Sequence, residues 1–229
     1  FENQRPIQFS RKRNIVGILG QATLDYDNYL FLNLSARTDW VSNLSSENNS
    51  QTYPGVSVSF LPTAAFNGLT TENGLNFLKL RASYGTSATF PVGYPTVNVV
   101  EQTTQRYTDP FGGGLLTTNQ VDNFRANPDL KPELLEEFEV GVETRLWQNR
   151  ISLDATYFKR TTNDLIVTEH LSPSTGFAFT QSNIGEIQNE GFEADLGIDI
   201  FRGDNFSWNS RVNFFTNNET VTEQEQDFI

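Results

Sequence analysis

The stretch ELLEEFEVGVETRLWQNRISLDATYFKR, Glu133 to Arg160, decides the fold. It holds two runs of alternating apolar and polar residues, joined around Gln148 and Asn149. In the first run Phe138, Val140, Val142 and Leu146 fall on one face, and Glu137, Glu139, Gly141, Glu143 and Arg145 on the other, which is the period of two of an extended chain. In the second, Ile151, Leu153, Ala155 and Tyr157 oppose Ser152, Asp154, Thr156 and Phe158. A strand of a soluble protein usually ends after about 5 to 6 residues, whereas a tilted strand crossing a bilayer needs about 9 to 11. The length of both runs favours the membrane. Trp147 and Tyr157 stand at the two ends of the second run. At about 3.4 Å rise per residue and about 40° tilt their separation projects to roughly 26 Å, close to the apolar band of about 25 Å between the aromatic girdles of outer-membrane barrels. The stretch therefore reads as a transmembrane β-hairpin.

The same grammar recurs outward from it. Ile15 to Tyr26 and Tyr29 to Val41 form a pair around Asp27 and Asn28. Val16, Ile18, Ala22, Leu24 and Tyr26 share a face with Leu30, Leu32, Leu34, Ala36 and Trp40, leaving Asn33, Ser35, Arg37 and Asp39 to point inward. A polar segment, Ser42 to Thr52, reads as an exposed loop before Val56, Val58 and Phe60 resume the alternation. Pro62 and Phe66 to Asn76 form a longer connection with room for one helical turn, leading to Leu78, Leu80, Ala82 and Tyr84 alternating with Lys79, Arg81 and Ser83. Thr86 to Pro132, rich in Pro, Gly, Thr and Asn, reads as the longest irregular stretch; connections beyond about 12 to 15 residues are uncommon unless functional or disordered. Thr161 to Glu186 reads as another loop, and a last pair, Phe192 to Phe201 and Phe206 to Thr216, turns at Arg202 to Asn205. About eight long strands with short turns alternating with long loops are expected, as in bacterial outer-membrane barrels.

Composition agrees. The 229 residues include no Met, so the chain carries no initiator and is expected to be a piece of a longer protein. Mean hydropathy is -0.44 and no apolar run approaches the roughly 18 residues of a membrane helix. A barrel tolerates this, since only alternate strand residues meet lipid. The net charge of -12 argues against nucleic acid as a partner, because phosphate binding wants a basic patch. The absence of Cys removes any disulfide framework or thiolate metal site.

Several segments resemble one family in its own order along the chain. They are LFLNLSARTDW at Leu30 to Trp40, FLKLRASYGTS at Phe77 to Ser87, NPDLKPE at Asn127 to Glu133, RISLDATYFKRTTNDLI at Arg150 to Ile166 and NIGEIQNEGFEADL at Asn183 to Leu196. The set resembles the C-terminal barrel portion of TonB-dependent outer-membrane transporters of the SusC/RagA type, found in Bacteroidetes. The resemblance implies a barrel of about 22 strands with a plugged lumen, of which residues 1–229 would supply roughly a third. It also implies import of an oligosaccharide or peptide across the outer membrane, a SusD-like surface lipoprotein as lid, and coupling to TonB. The plug domain and TonB box have no counterpart in these segments. EQEQDFI, Glu223 to Ile229, follows Asn217 and Asn218 as a polar loop would, so the final membrane strand is expected to be absent. A passive porin or a soluble β-rich binding module are the alternatives; in the module, the apolar faces would bury against a second sheet or helices.

No catalytic role, cofactor or metal is assigned. The inward carboxylates Glu137, Glu139, Glu143, Asp154, Glu193, Asp195 and Asp199 could in principle supply the acid pair of a glycosidase. Alternation on a hydrated wall produces them without chemistry, partly paired with Arg145, Arg160 and Arg211. His170, the single histidine, reads as a solvent-exposed loop residue. Gly112, Gly113 and Gly114 lack the Lys and Ser/Thr of a phosphate loop. Asp25, Asp27 and Asn28 lack the glycine and terminal glutamate of a calcium loop and read as a tight turn. The loop aromatics Phe90, Tyr94, Tyr107, Phe111, Phe177 and Phe179 are candidate substrate contacts, since rings above a barrel can stack on sugars or pack on a partner, or simply order the loops.

Overall fold

The computed structural model describes residues 10, 12–108 and 115–224, with the backbone alone at 101–108, 115–119 and 223–224. Its strands are β1 (Ile15–Tyr26), β2 (Leu30–Val41), β3 (Ser50–Phe60), β4 (Leu75–Thr89), β5 (Val100–Thr108), β6 (Leu115–Val121), β7 (Phe124–Arg125), β8 (Glu133–Leu146), β9 (Ile151–His170), β10 (Phe179–Arg202) and β11 (Ser207–Gln224). One helical turn, α1 (Pro62–Ala65), precedes β4, and no helix among the described residues is long and apolar enough to cross a membrane. The main sheet runs β1-β2-β3-β4-β8-β9-β10-β11 and is open. Its successive pairs are antiparallel, and the two-residue β7 adds in parallel to β10. β5 and β6 form a separate hairpin.

The registers reproduce the faces expected from the alternation. Val16 pairs with Trp40, Ala22 with Leu34 and Leu24 with Leu32. Val142 pairs with Ala155, and Glu143 with Asp154. Apolar rows therefore stack on one face across all eight long strands, and polar rows on the other. Ile18, Val212 and Phe214 on the apolar face are more than half exposed, and no second layer among the described residues covers them. That is the geometry of a wall facing lipid, where side chains need no protein partner, and not of a soluble sandwich.

One end carries the tight turns. At Asp27 and Asn28 φ is +52° and +57°, the Tyr29 amide donates to the Tyr26 carbonyl at 3.2 Å and the Asn28 amide to Asp25 Oδ1 at 3.0 Å, closing a tight left-handed turn that matches strand twist. Trp147, Gln148 and Asn149 also have positive φ. These turns are laced together: the Trp147 amide donates to the Gly74 carbonyl at 2.9 Å, and Arg202 reaches the carbonyls of Gln148 and Asn149 at 3.2 and 2.9 Å. Tyr26, Tyr29, Phe60 and Phe66 meet edge to face in succession at the same end, as interfacial aromatics do.

The other end carries the long connections and a small dense core. Val41, Leu44 and Leu130 are buried there, with Asn43 fully enclosed. Asn43 Nδ2 donates to the carbonyls of Pro91 at 2.6 Å and Gly93 at 2.9 Å. The NPDLKPE segment folds into a knot in which the Asn127 side chain donates to the Gln181 carbonyl at 2.9 Å and Asn183 bonds both the amide and the carbonyl of Lys131. Its polar residues satisfy backbone groups that no ladder reaches.

The structure corrects several expectations at this end. Thr161 to Glu186 is not a loop: β9 continues to His170 and β10 begins at Phe179, leaving only 171–178, with a short turn at Pro173–Thr175. His170 is thus the last residue of a strand, in register with Phe179. The polar composition of 161–186 hid a ladder because above the bilayer neither face needs to be apolar. Thr86 to Pro132 holds the end of β4, the β5–β6 hairpin and β7, and Ser50 to Thr52 already belong to β3. β11 runs through Asn217 and Asn218 to Gln224, so Glu223 is strand and not loop. Gly112 to Gly114, and residues 225–229 of the EQEQDFI segment, lie outside the described residues.

A charge placed on the apolar face tests this assignment. Val142→Arg in the full-length protein is expected to lower bilayer folding stability by about 2–4 kcal/mol, while Asn213→Arg on the polar face changes it by less than about 1 kcal/mol, read from urea midpoints in lipid vesicles.

Candidate functional site

The polar face is the chemically specific surface of this sheet. Six ion pairs lie on it or at its turn edge among the described residues: Arg37–Asp39, Arg81–Asp154, Arg145–Glu143, Arg160–Glu137, Arg202–Asp199 and Arg211–Asp195. The expected partners Arg145, Arg160 and Arg211 are all engaged, and Arg37, Arg81 and Arg202 join them. A hydrated wall is what these contacts make. Among the described residues no group of three or more His, Cys, Asp and Glu could hold a metal ion.

Glycines open the longer reaches. Arg81 on β4 extends over β8 to β9, where its guanidinium bonds Asp154 bidentately at 3.2 and 2.6 Å and Thr156 Oγ1 at 2.5 Å. Neighbouring strands lie about 4.8 Å apart, so the side chain spans about two strand spacings. It can do so because residue 141 is glycine: a Cβ there would lie 2.6 Å from Arg81 Nε. Gly17 plays the same part under Asp39, which is buried and takes bonds from Arg37 Nε at 2.9 Å and from the Tyr53 hydroxyl. Burial of a carboxylate without such donors would cost its hydration unrepaid.

Gly191 makes room for an aromatic pair. A Cβ there would lie 2.1 Å from the Thr216 carbonyl oxygen and 2.6 Å from Phe158 Cζ, so the close approach of β11 as well as the buried Phe158 ring requires glycine. Phe215 of β11 stacks on Phe158, ring centroids 6.3 Å apart and planes 13° from parallel. Both rings sit on polar-face positions. The sequence signal was an apolar residue out of phase, Phe158 among Ser152, Asp154 and Thr156, and Phe215 directly after the outward Phe214.

The loop aromatics disperse. Tyr94 donates to the Lys12 carbonyl and lies 3.5 Å from Ser42 Oγ, tying its loop to the start of β1. Phe179 is the first residue of β10, not a loop residue, and packs on Phe124 at 5.9 Å. Phe90 and Phe177 are half-buried. The backbone of Tyr107 belongs to β5 while its side chain, like all of Phe111, lies outside the described residues. No ring pair among the described residues joins two of the six.

An open antiparallel sheet with an uncovered apolar face, an ion-paired polar face, tight turns at one end and long connections at the other defines a segment of outer-membrane β-barrel wall. The TonB dependent receptor-like, beta-barrel family matches residues 3–228, and the chain belongs to that family. It is 26% identical over 215 residues to TonB-dependent receptor P3 of Formosa agariphila, covering 93% of this chain and 21% of the relative. To TonB-dependent receptor SusC of Bacteroides thetaiotaomicron it is 25% identical over 219 residues, again 93% of this chain and 21% of the relative. The chain thus spans about a fifth of the length of these curated relatives. Among solved structures, the RagAB peptide importer in a closed-closed state superposes with a TM-score of 0.82 at 23% identity, over 93% of this chain and 23% of that one. The siderophore receptor PirA of Pseudomonas aeruginosa gives 0.57 at 16% identity, over 91% and 35%. Family and fold together make the chain a segment of the outer-membrane barrel of a TonB-dependent receptor, similar to SusC in sequence and to the RagAB importer in fold.

The glycine under Arg81 gives a direct test of the wall chemistry. Gly141→Ala is expected to destabilise the full-length protein by roughly 1 kcal/mol and to cost almost nothing in an Arg81→Ala background, a coupling that a double-mutant cycle in guanidinium unfolding measures.

Proposed function

We propose that this chain forms part of the wall and extracellular loops of an active importer that takes up an oligosaccharide or a peptide across the outer membrane. In this reading residues 1–229 are a partial barrel, and a plug domain carrying the TonB contact, together with the remaining strands, lies elsewhere in the full-length protein. A SusD-like lipoprotein covers the long-loop end. Phe90, Tyr94, Phe177 and Phe179, which sit at that end, contribute to cargo capture, as do Tyr107 and Phe111 by their place in the same connection. The wall makes and breaks no bond.

The observation that carries the reading is the match to TonB-dependent receptors along nearly the whole chain, with a fold that superposes far better on a SusC/RagA-type barrel than on a siderophore receptor. An ion-paired lumenal face supports it physically, because a wall that passes a hydrated solute past an internal domain must stay polar. A passive porin would share the hairpins but would need neither TonB nor a lid.

Deletion of the full-length gene in its own host is the test. Growth on one class of oligosaccharide or on oligopeptides as sole carbon source is expected to be lost, and a strain lacking TonB is expected to show the same loss. Uptake that persists without TonB contradicts active import and favours the porin.

A further inference from the structure

We infer that Asn67 is a site of spontaneous deamidation, at which the chain converts its own side-chain amide to a carboxylate, and that the fold shields nearby Asn73 from the same reaction. The inference goes beyond the importer reading and does not depend on it.

The sequence holds two Asn-Gly steps, Asn67–Gly68 and Asn73–Gly74. Both lie in the connection between β3 and β4, at the end of the sheet that carries the tight turns. This connection is interior to the sheet, with neighbours from this chain on both sides. On one side the Leu61 amide donates to the Tyr29 carbonyl at 2.8 Å; on the other the amides of Trp147 and Gln148 donate to the carbonyls of Gly74 and Glu72 at 2.9 and 3.0 Å.

The reaction needs only the chain and water. The Gly68 amide nitrogen, with no side chain beside it, attacks the Asn67 side-chain carbonyl carbon. A C–N bond forms, the amide proton passes to the leaving nitrogen, and ammonia departs to leave a five-membered succinimide. Water then opens the ring at either carbonyl, giving aspartate, or isoaspartate in which the main chain runs through the former side chain. One water is consumed and one ammonia released.

The two steps differ in their freedom to close that ring. Asn67 and Gly68 are exposed, in a turn closed by the Leu69 amide donating to the Phe66 carbonyl at 3.3 Å. Among the described residues no hydrogen bond engages either of them. Gly68 has φ +94°, a conformation natural to glycine, and no atom lies within 4 Å of where a Cβ would stand. At the second step the nitrogen that would attack is occupied, since the Gly74 amide donates to the Thr71 carbonyl at 3.3 Å. Asn73 Oδ1 accepts from Gln148 Nε2 at 3.4 Å. Asn76 Nδ2 pins the loop from below, reaching the carbonyls of Thr71 and Glu72 at 2.9 and 3.3 Å. Attack at Asn73 requires these bonds to open together, and the rate falls by the fraction of molecules that are open. The product at Asn67 places a new carboxylate directly after Phe66, whose ring meets Phe60 edge to face at 6.3 Å.

Ageing of the purified full-length protein at mildly alkaline pH tests the inference, followed by peptide mass spectrometry and by enzymatic methyl labelling of isoaspartate. In the folded protein Asn67 is expected to lose its amide at least about tenfold faster than Asn73, and in urea the two rates are expected to converge to within about twofold. Asn76→Ala should speed the reaction at Asn73 at least about threefold and leave Asn67 unchanged. Heat-modifiable migration confirms that the variant is folded; if it is not, the folded and unfolded rates of the parent protein decide alone. The inference is wrong if Asn67 keeps its amide in the folded protein and loses it in urea, which would mean that another part of the full-length protein holds the step. Equal rates in the folded state, a difference that persists in urea, or a folded Asn76→Ala variant with an unchanged rate at Asn73 would each overturn the shielding by the fold. None of these outcomes bears on TonB-dependent growth, so the importer reading stands or falls separately.

Discussion

Everything in this chain depends on the rule that backbone amides and carbonyls in hydrocarbon must find partners within the protein. An antiparallel ladder of eight long strands meets that rule, and the pairings from β1 to β11 run with few interruptions, the register shifts lying at Leu75/Phe77 on β4 and at Asn183/Gly185, Gly185/Ile187, Glu186/Ile187 and Asp199/Phe201 on β10. Once the ladder is laid, each strand has two faces with two different solvents. Among the described residues the strands share no hydrophobic core for that reason, and apart from Phe158 the buried apolar side chains, Val41, Leu44 and Leu130, collect at the loop end with Asn43.

On the lumenal face the same geometry sets a second problem, that of packing charged side chains on a pleated surface. The chain solves it with glycines placed beneath arginine, aspartate and phenylalanine. Gly141 under Arg81, Gly17 under Asp39 and Gly191 under Phe158 each let a larger neighbour lie flat across the next strand. The result is a wall stiffened by contacts that skip strands, in addition to the ladder itself. Exposed ion pairs contribute little individually, at about 0–1 kcal/mol, so their role here is one of arrangement more than of stability.

The membrane-embedded part of the fold was legible because lipid imposes period two on it. The hairpin from Glu133 to Arg160, the pair around Asp27 and Asn28, and the pairing of Ala194 and Leu196 with Phe214 and Val212 all emerged in register. Above the bilayer the constraint lapses. There β9 and β10 continue as polar strands through Thr161 to Glu186, and no pattern distinguished them from a loop. The lumenal site was half legible: the carboxylates and three of their arginines follow from alternation, whereas Arg81 reaching past Gly141, and the Phe158–Phe215 stack, depend on which strands lie side by side. An aromatic out of phase was the one signal available, and it reads as noise until the register is known.

The central claim is that alternate residues of these strands face lipid and water. Single cysteines introduced from Glu137 to Thr144 in the full-length protein, a segment whose surroundings in this chain hold no native Cys, can carry spin labels in lipid vesicles. Accessibility to oxygen dissolved in the bilayer is predicted to peak at Phe138, Val140, Val142 and Thr144, and accessibility to a water-soluble nickel complex at Glu137, Glu139, Gly141 and Glu143. A smooth profile without the two-residue period, or low accessibility to both probes at Val140 and Val142, would contradict the account.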